Sequence, residues 1–406
     1  MNGATPLLDI GHIYGNDKKK VDSLRTFEDG RMKSTVLKGY YELMPQCEKG
    51  VPDGCFETGD FRYDVVPALA LHHTLHLRSH NRLAHALQQM NPHWNDERLF
   101  QEARRINIAV HQHVTFNEYL PIVIGTKYMK SRGMKPFSYG NSSYRMDYDS
   151  YLNPNTFNEF SAAAFRLHSQ IPGRWSLIDG KTHEYFFLRD HMLNSSMMFS
   201  ENNVDAQIRG MLFQQPQRTD PFFSVEVTNF LFRGNEPFGL DLAALDIQRG
   251  RDHGIPPWNE LRKLCGLSPV DTWTDVAQHM GTKYVDLLRS VYSHPHDIDF
   301  WVGGTLEEER LGGALVGPSF MCIIGEQFFR KQRGDRFYYE YQSAGFTPEQ
   351  LASIRRTSLA SFLCFTSDTL RRASPFAYFQ AGPGNEEMDC SYLPHVDLSH
   401  WKDYYG

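Results

Sequence analysis

The chain has 406 residues, of which 41% are hydrophobic and 22% are charged, and its net charge is -6. This length suits one large or two ordinary domains, and the composition supports a packed core rather than a disordered chain. A mildly acidic chain without a basic block is a poor nucleic-acid binder, and no apolar run approaches the roughly 20 residues of a membrane-spanning helix. The first residues also lack the apolar stretch of a signal peptide.

Helical periodicity dominates the sequence. Apolar residues recur at three- and four-residue steps over residues 67–90, and a second helix is expected over 95–118 with Asn95 as its N-cap. Further helices are expected over 155–168, 225–232, 318–330 and 351–364. Strand signals are short and scattered. The sequence therefore predicts a mainly α-helical protein with little β-structure, organised as one large domain over residues 1–406.

The number of cysteines is even and they are widely spaced. The sequence contains no C-x-x-C pair that would indicate a zinc site. They lie at Cys47, Cys55, Cys265, Cys322, Cys364 and Cys390. Such a set fits either disulfides, most simply paired in sequential order, or buried free thiols. The sequons at Asn141 and Asn194 favour an extracellular glycoprotein. Because an extracellular protein needs a secretion signal and none is present, we expect that the sequence lacks its natural beginning.

Three histidines, His72, His76 and His80, recur at four-residue spacing and would share one helix face. Two histidines at this spacing are a common metal-binding pair. No carboxylate accompanies them, and their neighbours include Arg78 and Arg82 instead. The pattern therefore favours ordinary surface histidines over a metal site.

Charged residues also cluster in the Gly/Pro-bounded stretch 250–259, just after the apolar run 240–247. Charged groups beside a buried helix must pair with each other or face a charged ligand. Composition alone leaves an ion-pair cluster and a ligand wall equally open.

Residues 242–254, which read LAALDIQRGRDHG, resemble the signature of the animal haem peroxidases. Segments that resemble other motifs of this family follow its order along the chain, at 8–15, 59–62, 77–84, 164–169, 302–304, 317–320 and 334–337. The similarity covers nearly the whole chain and is strongest to arthropod-type, invertebrate members. It implies a helical, secreted domain that binds haem b, reduces hydrogen peroxide and oxidises a small-molecule electron donor. It also implies the disulfides Cys265–Cys322 and Cys364–Cys390.

The resemblance implies roles for five residues. His168 matches the proximal ligand of the haem iron, and Asn259 matches the residue that accepts a hydrogen bond from that ligand. Arg62 matches the catalytic distal arginine, which stabilises charge on the departing peroxide oxygen. Arg166 and Arg262 match the arginines that pair with the haem propionates.

Several positions that concern the cofactor depart from the family pattern. Val65 stands where mammalian members carry a carboxylate that esterifies haem, so a covalent link is not expected. The ligand segment 166–168 is one residue shorter than in several members. The calcium loop of the family maps onto residues 5–11, where Gly11 offers no hydroxyl, so Asp9 is expected to be a turn residue rather than a calcium ligand.

Departures at catalytic positions leave alternatives open. The distal histidine of the family precedes segment 8–15, so its proton-transferring base is missing and we expect weak activity from this chain. Phe165 replaces the radical-forming tyrosine of the cyclooxygenases, which argues against a lipid dioxygenase. The alternatives are an extracellular structural or adhesive domain that has lost catalysis, that lipid dioxygenase, and a fragment of an active secreted enzyme.

Overall fold

The structure is a computed structural model that describes residues 3–39, 41–47, 54–134, 138–308 and 310–403. Within them the α-helices are α1 Gly11–Tyr14, α2 Lys18–Ser23, α3 Pro67–Met90, α4 Asp96–Val114, α5 Thr126–Ser131, α6 Asn203–Phe213, α7 Val225–Thr228, α8 Leu242–Asp252, α9 Trp258–Leu264, α10 Trp273–Met280, α11 Val285–Val291, α12 Phe300–Leu306, α13 Pro318–Arg333, α14 Pro348–Ile354 and α15 Leu359–Thr366. The strands are β1 Thr35–Leu37, β2 Tyr41–Leu43, β3 Arg174–Asp179, β4 Thr182–Phe187, β5 Arg372–Ala373 and β6 Met388–Asp389. They pair as three antiparallel hairpins, β1–β2, β3–β4 and β5–β6. The predicted mainly α-helical class is confirmed.

Helix α3 is largely buried and has the predicted bounds. Val66 is extended, and Pro67 occupies the first turn, where its missing N–H costs nothing. The helix ends at Asn91, whose fully buried side chain donates to the Trp401 carbonyl at 3.0 Å and accepts from the Asp403 amide at 2.8 Å. Helix α3 packs against α4 and α15, inside one buried apolar cluster that extends from Tyr41 to Trp401.

A buried arginine joins α3 to distant parts of the chain. The Arg78 side chain is 0% exposed, and its guanidinium lies 3.0 Å from the Asp368 carboxylate and 4.0 Å from that of Asp205. Its Nε also donates to the Glu42 carbonyl at 2.7 Å. Since a lone buried charge is strongly unfavourable, these partners are what permits an arginine in the core.

The prediction of one helix over residues 155–168 is wrong. The chain instead makes a π-helical turn over Phe160–Ala164, and the Phe165 amide donates to the Phe160 carbonyl at 3.0 Å. The helical hydrogen bonds end there, and His168 begins a separate short 3-10 turn, His168–Gln170. The apolar periodicity of the sequence does not reveal this break, because the turn keeps its alanines buried.

Other predicted helices are confirmed with changed bounds. Helix α13 covers 318–330, and α4 starts with Asn95 as N-cap, accepting from the Arg98 amide at 2.9 Å. Helix α7 is shorter than the predicted 225–232. The predicted 351–364 is divided between α14 and α15, because Ser358 caps a new helix by accepting from the Ser361 amide.

Disulfides join all six cysteines in sequential order. The pairs are Cys47–Cys55, Cys265–Cys322 and Cys364–Cys390, with Cα–Cα distances of 5.5, 6.1 and 5.7 Å. The disulfide alternative, including the two pairs implied by the family resemblance, is confirmed. In the part of the chain that the structure describes, no helix is both long and apolar enough to cross a membrane.

Candidate functional site

His168 forms a hydrogen bond with a buried carboxylate that the sequence did not single out. Its Nδ1 lies 2.5 Å from Oδ2 of Asp246, which is 0% exposed and lies in the middle of α8. An ionised carboxylate only accepts hydrogen bonds, so Nδ1–H donates and Nε2 keeps its lone pair. The imidazole itself is 26% exposed. This arrangement suits a metal ligand, because an acceptor on one ring nitrogen orients the ring and strengthens the other nitrogen as a donor.

Arg166 shares the same carboxylate. Its guanidinium lies 3.3 Å from Oδ1 of Asp246, and its Nε donates to the Ser161 carbonyl at 3.0 Å. Burial is the main cause that lowers the pKa of Arg166 from its ordinary value. The structure therefore brings together two of the predicted residues, His168 and Arg166, through one buried aspartate.

Asn259 has a different partner from the predicted one. Its Oδ1 accepts from the Val270 amide at 2.7 Å, while Nδ1 of His168 is bound to Asp246. Asn259 is 0% exposed, and its Nδ2 has no hydrogen-bond partner within the described residues. An unpaired buried amide donor is unfavourable and marks a position where another acceptor would be stabilised.

Arg262 is also buried away from solvent. Its guanidinium lies 2.8 Å from Glu307, which is 1% exposed, and it donates to the Ser268 carbonyl at 3.1 Å. Burial raises the pKa of Glu307, and the contact with Arg262 opposes that rise. The propionate role of Arg262 stays a prediction, because its guanidinium is already engaged by this buried carboxylate.

Arg62 lies on a short 3-10 turn, Phe61–Asp64, and is 59% exposed. Its Nε and one terminal nitrogen bind the two oxygens of Asp60 at 2.9 and 2.6 Å. This fork-like contact is the main cause that lowers the pKa of Asp60 to about 2. The Arg62 side chain is thus paired with Asp60, two residues away, and remains accessible to solvent and small molecules.

Asp9, in the segment that matches the calcium loop, has the role of a turn residue. Its Oδ1 accepts from the Thr5 hydroxyl at 2.6 Å and from the Gly11 amide at 3.0 Å. The charged stretch 250–259 contains ordinary pairs, since Arg251 binds Asp299 at 2.7 Å on the surface. This contact fits the interpretation of the stretch as an ion-pair cluster.

The interpretation of His72, His76 and His80 as surface histidines is wrong. His76 is buried, His72 is half-buried, and both line a cavity of about 590 Å³ together with His111 of α4. His80 is buried elsewhere, between the Tyr14 hydroxyl at 3.0 Å and the Gly30 carbonyl at 2.9 Å. Burial lowers the pKa of His72 and His76 well below the ordinary value and that of His111 to about 4.

This cavity is separate from the five residues for which the family resemblance implies a role. Most of its wall is apolar and comes from α3, α4, α6, α15 and the segment after α15. None of His168, Arg62, Asn259, Arg166 or Arg262 lines it. Its volume falls in the range of small-molecule pockets, roughly 300–1,000 Å³.

Asp246 and His111 are site residues that the sequence did not single out. Asp246 is one of two carboxylates in the apolar run 240–247, with Asp241 near its start, and a charge inside such a run needs a partner. His111 lies inside the predicted second helix and in the last turn of the observed α4, but only the packing of α4 on α3 brings it to His72 and His76.

Both the sequence and the fold are similar to known proteins. The family model described as animal haem peroxidase matches residues 1–378. A peroxidase of Drosophila melanogaster is 37% identical over 411 residues, which cover 98% of this chain and 59% of the relative. The chorion peroxidase of Drosophila melanogaster is 40% identical over 417 residues, which cover 98% of this chain and 50% of the relative. The chain therefore spans between half and three fifths of the length of these relatives.

Solved structures give the same picture of the fold. Peroxidase A from Dictyostelium discoideum superposes with a TM-score of 0.76 and 32% identity, covering 89% of this chain and 69% of the other. The fatty acid alpha-dioxygenase of Oryza sativa superposes with a TM-score of 0.73 and covers 88% of this chain and 62% of the other. Its identity is 21%, so that likeness concerns the fold alone.

Proposed function

The chain belongs to the animal haem peroxidase family, and on this premise we propose that it is the core of a haem-dependent peroxidase that reduces hydrogen peroxide and oxidises small-molecule donors. The observation that carries the proposal is the pair formed by His168 and the buried carboxylate of Asp246. The named relatives are peroxidases, and the family resemblance implies that His168 is the haem ligand.

The residues of this chain fit a haem iron on the side of His168. Nε2 of His168 would bind the iron, because Nδ1 is fixed by Asp246 at 2.5 Å. When bound, haem supplies the redox chemistry, transferring two electrons to peroxide and recovering them from donors. Asp246 holds the imidazole in one tautomer and orientation and increases its donor strength.

The arginines would act on charged groups. Arg166, which is 24% exposed beside Asp246, is the better placed of the two predicted propionate partners, since Arg262 is bound to buried Glu307. Arg62 would stabilise the negative charge that develops on the departing peroxide oxygen, as its exposed guanidinium permits. In both roles the planar fork of the guanidinium matches two oxygen acceptors.

We also propose that the protein acts outside the cell, with haem b as its cofactor. The three disulfides are typical of an oxidising compartment. The name of the chorion peroxidase suggests the same setting. Calcium has weaker support, because the Asp9 carboxylate is occupied by hydrogen bonds from Thr5 and Gly11.

The test is an absorption spectrum of the purified chain after haem reconstitution. We expect a Soret band with the wild-type protein and its loss with His168→Ala, together with peroxide-dependent oxidation of a phenolic donor by the wild type. His296→Ala is a matched control, because His296 also pairs with a carboxylate, that of Asp271 at 2.9 Å, but at the surface. A wild-type protein without a Soret band would favour a non-catalytic structural domain, and an unchanged band in His168→Ala would exclude His168 as the ligand. Oxygen uptake with a fatty acid would instead favour the dioxygenase alternative.

A further inference from the structure

Three imidazoles from two helices converge at the wall of the cavity. Helix α3 presents His72 and His76 one turn apart, and α4 presents His111 opposite them. One nitrogen from each ring lies within 4.8 Å of the other two. The ring centroids are 4.6 Å apart for His72 and His76, 5.3 Å for His76 and His111, and 6.0 Å for His72 and His111.

These separations are close to those of a tetrahedral metal centre. With metal–nitrogen bonds of about 2.0–2.1 Å, ligand nitrogens in a tetrahedron lie about 3.3 Å apart. The three nitrogens would therefore need to approach one another by no more than about 1.5 Å, which small rotations of the side chains provide.

The tautomer of His76 is fixed in the form that a metal needs. Fully buried Asn107 donates through Nδ2 to the His76 carbonyl and to the Tyr14 hydroxyl, both at 3.0 Å. Its Oδ1 is then the group that accepts from Nδ1–H of His76 at 3.1 Å. Nε2 of His76 consequently carries the lone pair, and Asn107 is the outer hydrogen-bond acceptor that metal-binding histidines usually have.

We propose that His72, His76 and His111 bind one divalent first-row transition metal ion, with Zn²⁺ the best match, and leave its fourth coordination position facing the cavity. Three imidazoles plus an open position are the ligand set of exchangeable zinc centres, and uncharged nitrogen donors exclude Mg²⁺ and Ca²⁺ as the preferred ions. The cavity of about 590 Å³ leaves room for water or a small ligand at that position. This site is independent of the haem proposed at His168.

Neighbouring groups favour the site further. The ring of His12 stacks on His72 with centroids 5.2 Å apart, and its buried Nε2 has no hydrogen-bond partner among the described residues. A fourth imidazole therefore lies next to two of the three proposed ligands, His72 and His76. The cysteines, which are the usual competitors for zinc, are all held in disulfides.

The experiment measures zinc and iron separately in the haem-loaded full chain. After dialysis against Zn²⁺, elemental analysis gives the zinc and iron content per chain, and a titration with Zn²⁺ gives the affinity. The variants are His72→Gln and His111→Gln, which replace half-buried rings on the cavity wall, and the control is His85→Gln, an exposed histidine on the same helix. Circular dichroism establishes that each variant is folded.

We expect about one zinc per wild-type chain and per His85→Gln chain, and an affinity that falls at least about 100-fold in either cavity variant, since loss of a direct ligand exceeds the 10–100-fold effect of an outer partner. Zn²⁺ should also raise the melting temperature of the wild type and of His85→Gln, but not of the cavity variants. His168→Ala should lose iron and keep zinc, which distinguishes failure of this site from failure of the haem proposal. Equal zinc binding by the wild type and both cavity variants, or no zinc in the wild type, would overturn the proposal.

Discussion

Glu118 is a carboxyl group whose charge opposes folding. It lies in a π-helical turn, Thr115–Tyr119, and its Oε1 accepts from the Leu359 amide at 2.7 Å. Burial raises its pKa from 4.5 to about 7, and the hydrogen bond from Leu359 only partly opposes that rise. The substitution Glu118→Gln keeps the size and the acceptor oxygen but removes the charge.

The shift in the pKa of Glu118 determines the size and the sign of the effect. Below pH 4.5 the carboxyl is protonated in the folded and the unfolded chain; between 4.5 and about 7 only the folded chain keeps the proton, so the stability of the wild type falls as the pH rises. The loss is complete above about pH 7 and amounts to at most about 3.5 kcal/mol, at about 1.4 kcal/mol for each unit of pKa. Glu118→Gln lacks this loss, so it should equal the wild type at low pH and exceed it at high pH.

Equilibrium unfolding in urea at about pH 5 and about pH 8 measures this difference in the free energy of unfolding. The matched control is Glu184→Gln, because Glu184 is exposed on β4 and its substitution should leave the pH dependence of the wild type unchanged. If Glu118→Gln and the wild type lose stability in parallel between the two pH values, burial does not raise the pKa of Glu118.

Two further predictions concern stability. Arg78→Met should lower the free energy of unfolding by about 3–5 kcal/mol, because it leaves the Asp205 and Asp368 carboxylates buried without their cation. The control in urea unfolding is Arg98→Met, because the Arg98 side chain is 52% exposed and contributes less than about 1 kcal/mol. An equally small loss of stability in both variants would contradict the prediction. The double substitution Cys265→Ser with Cys322→Ser opens a 57-residue loop and should cost about 4 kcal/mol. A change below about 1 kcal/mol in the same assay would mean that this disulfide does not restrict the unfolded chain as the loop length requires.

Local signals made much of the fold predictable from the sequence. The bounds of α3 follow from Pro67 at its first turn and from Asn91 after its last, and the start of α4 follows from the Asn95 cap. The break before His168 was not predictable in this way, because a single π-helical turn of five residues is too short to change the apolar pattern visibly.

The candidate site was predictable only in part, for a reason of distance along the chain. The family motifs selected His168 and Arg166, but their shared partner Asp246 is 78 residues from His168. The three histidines of the cavity come together only because α4 packs on α3, and the spacing of residues within one helix does not predict that contact. Likewise, the contact of Arg262 with Glu307 spans 45 residues and depends on how α9 and α12 meet.

The position of Arg78 also sets the order in which the chain is able to fold during synthesis. Its Nη1 donates to the Thr366 carbonyl at 3.2 Å, a residue 288 positions later, and its cation is paired with Asp368 beyond that. When α3 leaves the ribosome, the carboxylate of Asp368 has not yet been translated, so burying the helix at that stage would bury an uncompensated charge. Complete burial of Arg78 with its nearest carboxylate therefore requires the segment that follows α15. A polypeptide released before Thr366 would keep α3 exposed to chaperones and proteases.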